Sequence, residues 1–194
     1  GAHFDDISFV DYHEELDPTS PEISFLQPRG VQNSYFAQFG WSGGQGVSVP
    51  NDTTKWTTDN KTLTPERPVT LTWNNGQGLE FTRTILIDKN YMFAVTQSVK
   101  NTGKANVTLY PYGLISRQNT PETNGLYILH EGPIGVFNGQ LKEIAYDDLQ
   151  ESKSVSETTT GGWLGITDKY WLTALIPDQK AKVKTNFIHR LSNN

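Results

Sequence analysis

The chain has 194 residues, of which 35% are apolar, 19% charged and 11% aromatic, with 17 Gly, 10 Pro and no Cys. That length suits one sandwich-sized domain with a sizeable core, and 22 aromatic rings offset a modest apolar fraction, which excludes wholesale disorder. A net charge of −5 lacks the phosphate-neutralising footprint of a nucleic-acid binder, and the absence of cysteine removes disulfides, thiolate catalysis and cysteine-ligated zinc.

In chain order, short strands are predicted at Phe4–Tyr12 and Ile23–Leu26, split by the turn-rich Asp17-Pro18-Thr19-Ser20-Pro21. Phe36–Trp41 is a further strand, leading to a Gly-rich loop at Ser42–Gly46. Period-two alternation then dominates. Val69–Trp73 and Leu79–Arg83 alternate around Asn74-Asn75-Gly76-Gln77-Gly78, whose Asn and Gly tolerate positive φ, so the three segments read as a hairpin. Thr84–Ile87 ends at Asp88-Lys89-Asn90, and Tyr91–Lys100 alternates again. A third turn at Asn101–Lys104 precedes Ala105–Leu114, and together these predict an antiparallel meander from about Val69 to Leu114. Leu126–Leu129 is a compact apolar strand closed by Glu131-Gly132-Pro133. Leu141–Glu151 is the one helical candidate, of one or two turns. Tyr170–Ile176 is a strand that Pro177 stops, with Val183–Ile188 as its pairing candidate. Many short strands with Gly/Pro punctuation predict an all-β fold, a large antiparallel β-sandwich with at most one or two short helices, as one domain over residues 1–194.

Few constellations could carry chemistry. Histidine offers the general bases near neutral pH. His130 and Glu131 are adjacent in an extended segment and point to opposite faces, so the expected role of His130 is a hydrogen bond to loop backbone. His13, beside Glu14 and Glu15, lacks metal-ligand spacing, and His3 and His189 form no motif. No GxSxG elbow is present, and Gly43–Gly46 and Asn75–Gly78 read as turns rather than phosphate cradles. The acidic pairs Asp5-Asp6 and Asp147-Asp148 fit an acidic surface. Sequons at Asn51, Asn60 and Asn106 are expected by chance in an Asn- and Thr-rich chain. No catalytic residue, cofactor site or metal site is therefore assigned. Trp73 and Trp171, at alternating strand positions, are expected in the core, whereas Trp56 and Trp163, in loop-like contexts, are candidate surface contacts.

No apolar run reaches the roughly 20 residues that cross a bilayer, and no signal segment opens the chain. Gly1-Ala2-His3-Phe4 lacks an initiator Met, and an excised piece of a longer protein is expected.

Longer blocks carry a resemblance. Thr70–Leu79, Phe81-Thr82-Arg83-Thr84, Asp88–Phe93, Leu109–Leu114, Tyr127–Gly135 and above all Gly161–Trp171 through Ile176-Pro177 occur in an order similar to the large periplasmic domain of YidC-type membrane protein insertases, with the alphaproteobacterial versions nearest. The resemblance spans about Phe4 to Pro177. It implies a large twisted antiparallel β-sandwich, a supersandwich like that of galactose mutarotases, set between the first two membrane helices of an inner-membrane insertase that works alone or beside the Sec translocon. The membrane part that inserts substrates would lie outside this chain, as would opening strands and a closing stretch of the domain. A non-enzymatic, monomeric domain on the periplasmic face of the inner membrane is expected, without cofactor or nucleic acid, contacting Sec translocon components and nascent membrane proteins. The alternative is a carbohydrate-binding or mutarotase-like sandwich, which would place exposed Trp or Tyr in a groove with a histidine and a carboxylate in hydrogen-bond reach.

Overall fold

The computed structural model describes residues 1–121 and 129–191. Its strands are β1 (His3–Phe4), β2 (Ile7–His13), β3 (Glu22–Leu26), β4 (Tyr35–Gly43), β5 (Thr57–Thr58), β6 (Val69–Asn74), β7 (Leu79–Ile87), β8 (Phe93–Asn101), β9 (Leu109–Arg117), β10 (Gly132–Phe137), β11 (Gln140–Glu143), β12 (Ser154–Thr160), β13 (Trp163–Thr167), β14 (Leu172–Leu175) and β15 (Lys182–Ile188). A single short helix, α1 (Tyr146–Ser152), lies among the described residues. The class is all-β, and every registered strand pair is antiparallel, as expected. The chain folds as two compact units, one of Gly1–Phe4 with Ala37–Leu114, the other of Asp5–Phe36 with Ile115–Asn194.

In the first unit, β6, β7 and β8 form the predicted meander, with β5 on its edge. The first turn forms because Asn74 Oδ1 accepts from the Gly76 amide and Asn75 Oδ1 from those of Gln77 and Leu79. At the second, Asp88 Oδ1 accepts from the amides of Asn90 and Met92. The meander ends one strand early. After the turn at Asn101, β9 leaves the sheet and lies beside β4, in the order β1-β4-β9. Pro111, inside β9, has no N–H to give a central ladder, and Val107 and Leu109 reach the core from the side opposite β7. Odd-numbered residues of β7 thus face β4 and β9 across a two-layer core. Trp41, Leu79 and fully buried Phe81 form its centre, with Trp56, Trp73 and Val99 packed around them. Burying one such ring contributes about 1.5–3 kcal/mol.

In the second unit, one sheet has the order β11-β10-β13-β14, and β12 pairs with β15. Val183–Ile188 therefore pairs with Ser154–Thr160 and not with the strand after Tyr170. β12 escapes sequence reading because five of its seven residues are Ser or Thr, with Val155 its one apolar side chain. Phe137, Ile144, Leu149 and Phe187 fill the core, and Val155 and Leu164 pack against them. The expected helix at Leu141–Glu151 begins as strand. β11 pairs with β10 as far as Glu143, and the helix begins at Tyr146, with Asp147 and Asp148 in its first turn facing the positive dipole end. The ribbon β2–β3 carries Phe9 and Phe25, which stack at 4.7 Å, and Phe9 meets Trp171 at 4.5 Å. Of the expected strand Leu126–Leu129, residues 126–128 lie outside the described residues.

Candidate functional site

An open groove of about 610 Å³ runs along one side of the first unit. β4 supplies Gln38, Trp41, Ser42 and Gly43, the segment Val49–Thr53 forms one wall, and Tyr112 of β9 forms the other. The tip of the Tyr112 ring meets Gly40, where a Cβ atom would stand 2.6 Å from Cζ and the hydroxyl oxygen and would displace the phenol. The Gln38 amide, at 3.3 Å from each, donates to the Tyr112 hydroxyl and to Asp52 Oδ1, tying the two walls. Asn51 shapes the Val49–Thr53 wall by accepting from the amide and hydroxyl of Thr53.

Beneath this wall lies Arg83, 2% exposed and facing no carboxylate among its contacts. Its guanidinium donates to the carbonyl oxygens of Ala2 and Phe39 and, at 3.4 Å, to Gln97 Oε1, while Nε has no partner. The Trp56 and Trp41 rings take the cation on their faces, with centroids 5.1 and 5.7 Å away. Burial pulls the Arg83 pKa down to about 10, which leaves the group charged at neutral pH. Arg83 belongs to the core-facing row of β7, where alternation predicts an apolar residue. Its break of that row was the available signal, and sequence reasoning missed it.

The second unit holds its own polar cluster. Arg117 donates to Asp168 at 2.5 Å and lies over the Tyr35 ring at 4.7 Å. Burial works against the Arg117 charge, but the hydrogen bond and charge of Asp168 outweigh it and raise its pKa. The hydroxyls of Tyr35, Tyr146 and Thr173 are buried, with Tyr35 facing Thr173 and Tyr146 facing Arg117. Burial pushes Tyr35 up to about 12 and also raises Tyr146, so both phenols are neutral.

The residues singled out from sequence do not assemble into a catalytic centre. His130 Nε2 lies 3.0 Å from the Pro133 carbonyl oxygen, the backbone role expected of it. His3 Nε2 is 3.5 Å from Asp52 Oδ1, an ion-pair distance, but His3 does not line the groove. His13 ends β2 opposite Glu22, and the His189 amide donates to Lys153. Among the described residues no three His, Asp or Glu side chains gather where they could hold a metal ion. Trp73 and Trp171, expected in the core, pack against Phe81 and Phe9 but are half-buried. Trp56 is half-buried in the segment before β5, held against Trp41 and Arg83. Trp163 is half-buried in the other unit, on β13 opposite Val136 and so on a strand rather than in a loop. Trp41, 4% exposed, offers the groove no open face for stacking a sugar.

No helix among the described residues is long and apolar enough to cross a membrane. The model of the YidC periplasmic domain family matches residues 1–194. The chain is 48% identical to the membrane protein insertase YidC of Methylobacterium nodulans, over 98% of this chain and 33% of that protein. It is 47% identical to that of Bradyrhizobium diazoefficiens, over 96% and 31%, and 45% identical to that of Granulibacter bethesdensis, over 96% and 34%. The chain thus spans about a third of the length of these relatives, which are mostly alphaproteobacterial. These matches fit the insertase reading of the sequence and not the carbohydrate alternative. From end to end, the chain belongs to the YidC periplasmic domain family.

Proposed function

We propose that this chain is the non-enzymatic interaction domain of a membrane protein insertase, held at the periplasmic face of the bacterial inner membrane. The observation that carries the reading is the family match over all 194 residues, joined to 45–48% identity with insertases about three times as long. The groove fits a binding role, since its walls present an amide, a phenol and a carboxylate that can donate and accept hydrogen bonds. The two units act as one domain of the parent, whose work is to help apolar segments enter the bilayer, alone or with Sec translocon components. Nascent membrane proteins are its substrates. Trp56, Trp163 and the groove beside Tyr112 are the contact candidates.

The test uses the full-length insertase reconstituted in proteoliposomes with and without residues 1–194, reading substrate insertion, alongside co-purification with Sec components. Reduced insertion or lost co-purification on deletion is expected. Unchanged insertion with unchanged co-purification would refute the interaction role.

A further inference from the structure

The net negative charge of this chain is confined to one end of the sequence. The first 28 residues hold seven carboxylates, Asp5, Asp6, Asp11, Glu14, Glu15, Asp17 and Glu22, and no Lys or Arg. The other 166 residues hold 14 acidic and 16 basic side chains. Five of the seven sit on β2, β3 and the loop between them, all exposed, and none forms an ion pair among the described residues. The same ribbon presents apolar side chains to solvent. Leu16, at the loop tip, is fully exposed, Val10 is 66% exposed and Tyr12 45%. Phe9 and Phe25 stack on each other, and the rings of Phe9, Phe25 and Tyr12 all meet Trp171, which holds one side of the exposed Tyr12 ring and makes the ribbon a braced platform.

We propose that the exposed face of the β2–β3 ribbon, centred on Leu16 with Val10 and Tyr12, is a docking surface for a cationic, partly apolar polypeptide segment of a protein partner. The apolar side chains alone would suit a bilayer as well as a protein. The carboxylates decide between them, because an anionic lipid surface repels such a ribbon while a Lys/Arg-bearing segment is drawn to it. The ribbon is two-stranded among the described residues, so an extended segment can also meet strand-edge backbone there. Alternating cationic and apolar side chains on such a segment match the mix of carboxylates and Leu16, Val10 and Tyr12. The surface goes beyond the groove of the other unit and rests on the reading of the chain as an interaction domain. A binding test on the isolated chain reads no insertion, so the two can fail separately.

The probe is a fluorescein-labelled ten-residue peptide of alternating Lys and Leu, titrated with the 194-residue chain by anisotropy in 50 mM NaCl. The ribbon triple variant Glu14→Gln/Glu15→Gln/Glu22→Gln is expected to weaken binding about tenfold, and Leu16→Ser about threefold. The triple Glu66→Gln/Glu80→Gln/Glu151→Gln, equal in charge and off the ribbon, is expected to change it less than about twofold. All these side chains are exposed, so each variant keeps its fold, checked by near-ultraviolet dichroism. Equal weakening by both triples would overturn the proposal, showing attraction to net charge alone. Equal binding of an alternating Glu-Leu peptide would overturn it too. So would flotation with vesicles of phosphatidylglycerol and phosphatidylethanolamine, or ribbon-dependent self-association in sedimentation, each of which names another occupant.

Discussion

Arg83 offers the sharpest test of how the first unit is held together. A guanidinium buried without a carboxylate carries a desolvation cost of several kcal/mol, and two indole faces return part of it at about 2 kcal/mol or less each. What it provides is donors for the Ala2 and Phe39 carbonyls and for Gln97. Hydrogen bonds to a charged group contribute about 1.5–3 kcal/mol, and each carbonyl stranded in the interior costs about 1–3 kcal/mol. Arg83→Met keeps the apolar bulk and removes the charge, so the relief of burial offsets part of the loss, leaving a deficit of about 2 kcal/mol. Arg83→Ala adds a cavity beside Trp41 and Trp56 and is expected to cost about 4 kcal/mol. Arg83→Lys keeps the charge, but its single nitrogen cannot span acceptors on two strands, and it is expected to fall near Arg83→Met. Urea unfolding followed by tryptophan fluorescence measures this directly, because Trp41 and Trp56 flank the guanidinium. A shifted midpoint at constant m is expected. If Arg83→Met matched or exceeded the unsubstituted chain in stability, the backbone-bridging account would be refuted and desolvation would be the larger effect.

Tyr35 gives a pH prediction whose sign is fixed by its raised pKa. The unfolded phenol ionises from about pH 10 while the native one holds its proton to about pH 12, so its contribution to stability is present below pH 10 and is lost as pH rises toward 12. Arg83, lowered to about 10, acts in the opposite sense over the same window, so Tyr35→Phe must be compared with the unsubstituted chain. It is expected to gain about 1.4 kcal/mol relative to that chain per pH unit above 10, read from urea midpoints. Gly162→Ala would drive a Cβ to 2.0 Å from the Val136 carbonyl oxygen at φ +83°, and a loss of about 3 kcal/mol or more is expected in thermal unfolding. Gly40→Ala displaces Tyr112 from the groove wall, and the expected readout is a crystal structure with the phenol swung away and the Gln38–Tyr112 hydrogen bond lost; an unmoved Tyr112 would contradict it.

Sequence reading succeeds where the local pattern and the tertiary demand agree. The β6–β7–β8 meander is legible because Asn74, Asn75 and Asp88 encode their turns through side-chain oxygens, and because odd positions on β7 are apolar except at Arg83. It fails where pairing partners are distant. Nothing local in Leu109–Arg117 says that it joins β4, and nothing in Ser154–Thr160 says that it joins β15, since hydroxyl-rich alternation reads the same in a loop. The groove fails for the same reason. Gln38, Asp52 and Tyr112 are up to 74 positions apart and form no motif, and only the placing of β9 beside β4 and of the Val49–Thr53 segment beside both makes them neighbours.

The blocks that carry the family resemblance turn out to hold backbone in place rather than to do chemistry. Gly162 is there because Val136 leaves no room for a side chain, His130 reaches the Pro133 carbonyl, and Asp88 ties the turn before Met92. The Arg83 within Phe81-Thr82-Arg83-Thr84 bridges strands. Such residues specify the scaffold and cannot report which partner it meets. Most candidate contact residues fall outside those blocks, on the ribbon that ends at Leu26 and on the wall Val49–Thr53, with Tyr112 and Trp163 the exceptions. A binding domain is expected to show this separation, because its fold constrains buried backbone while its partner constrains exposed side chains.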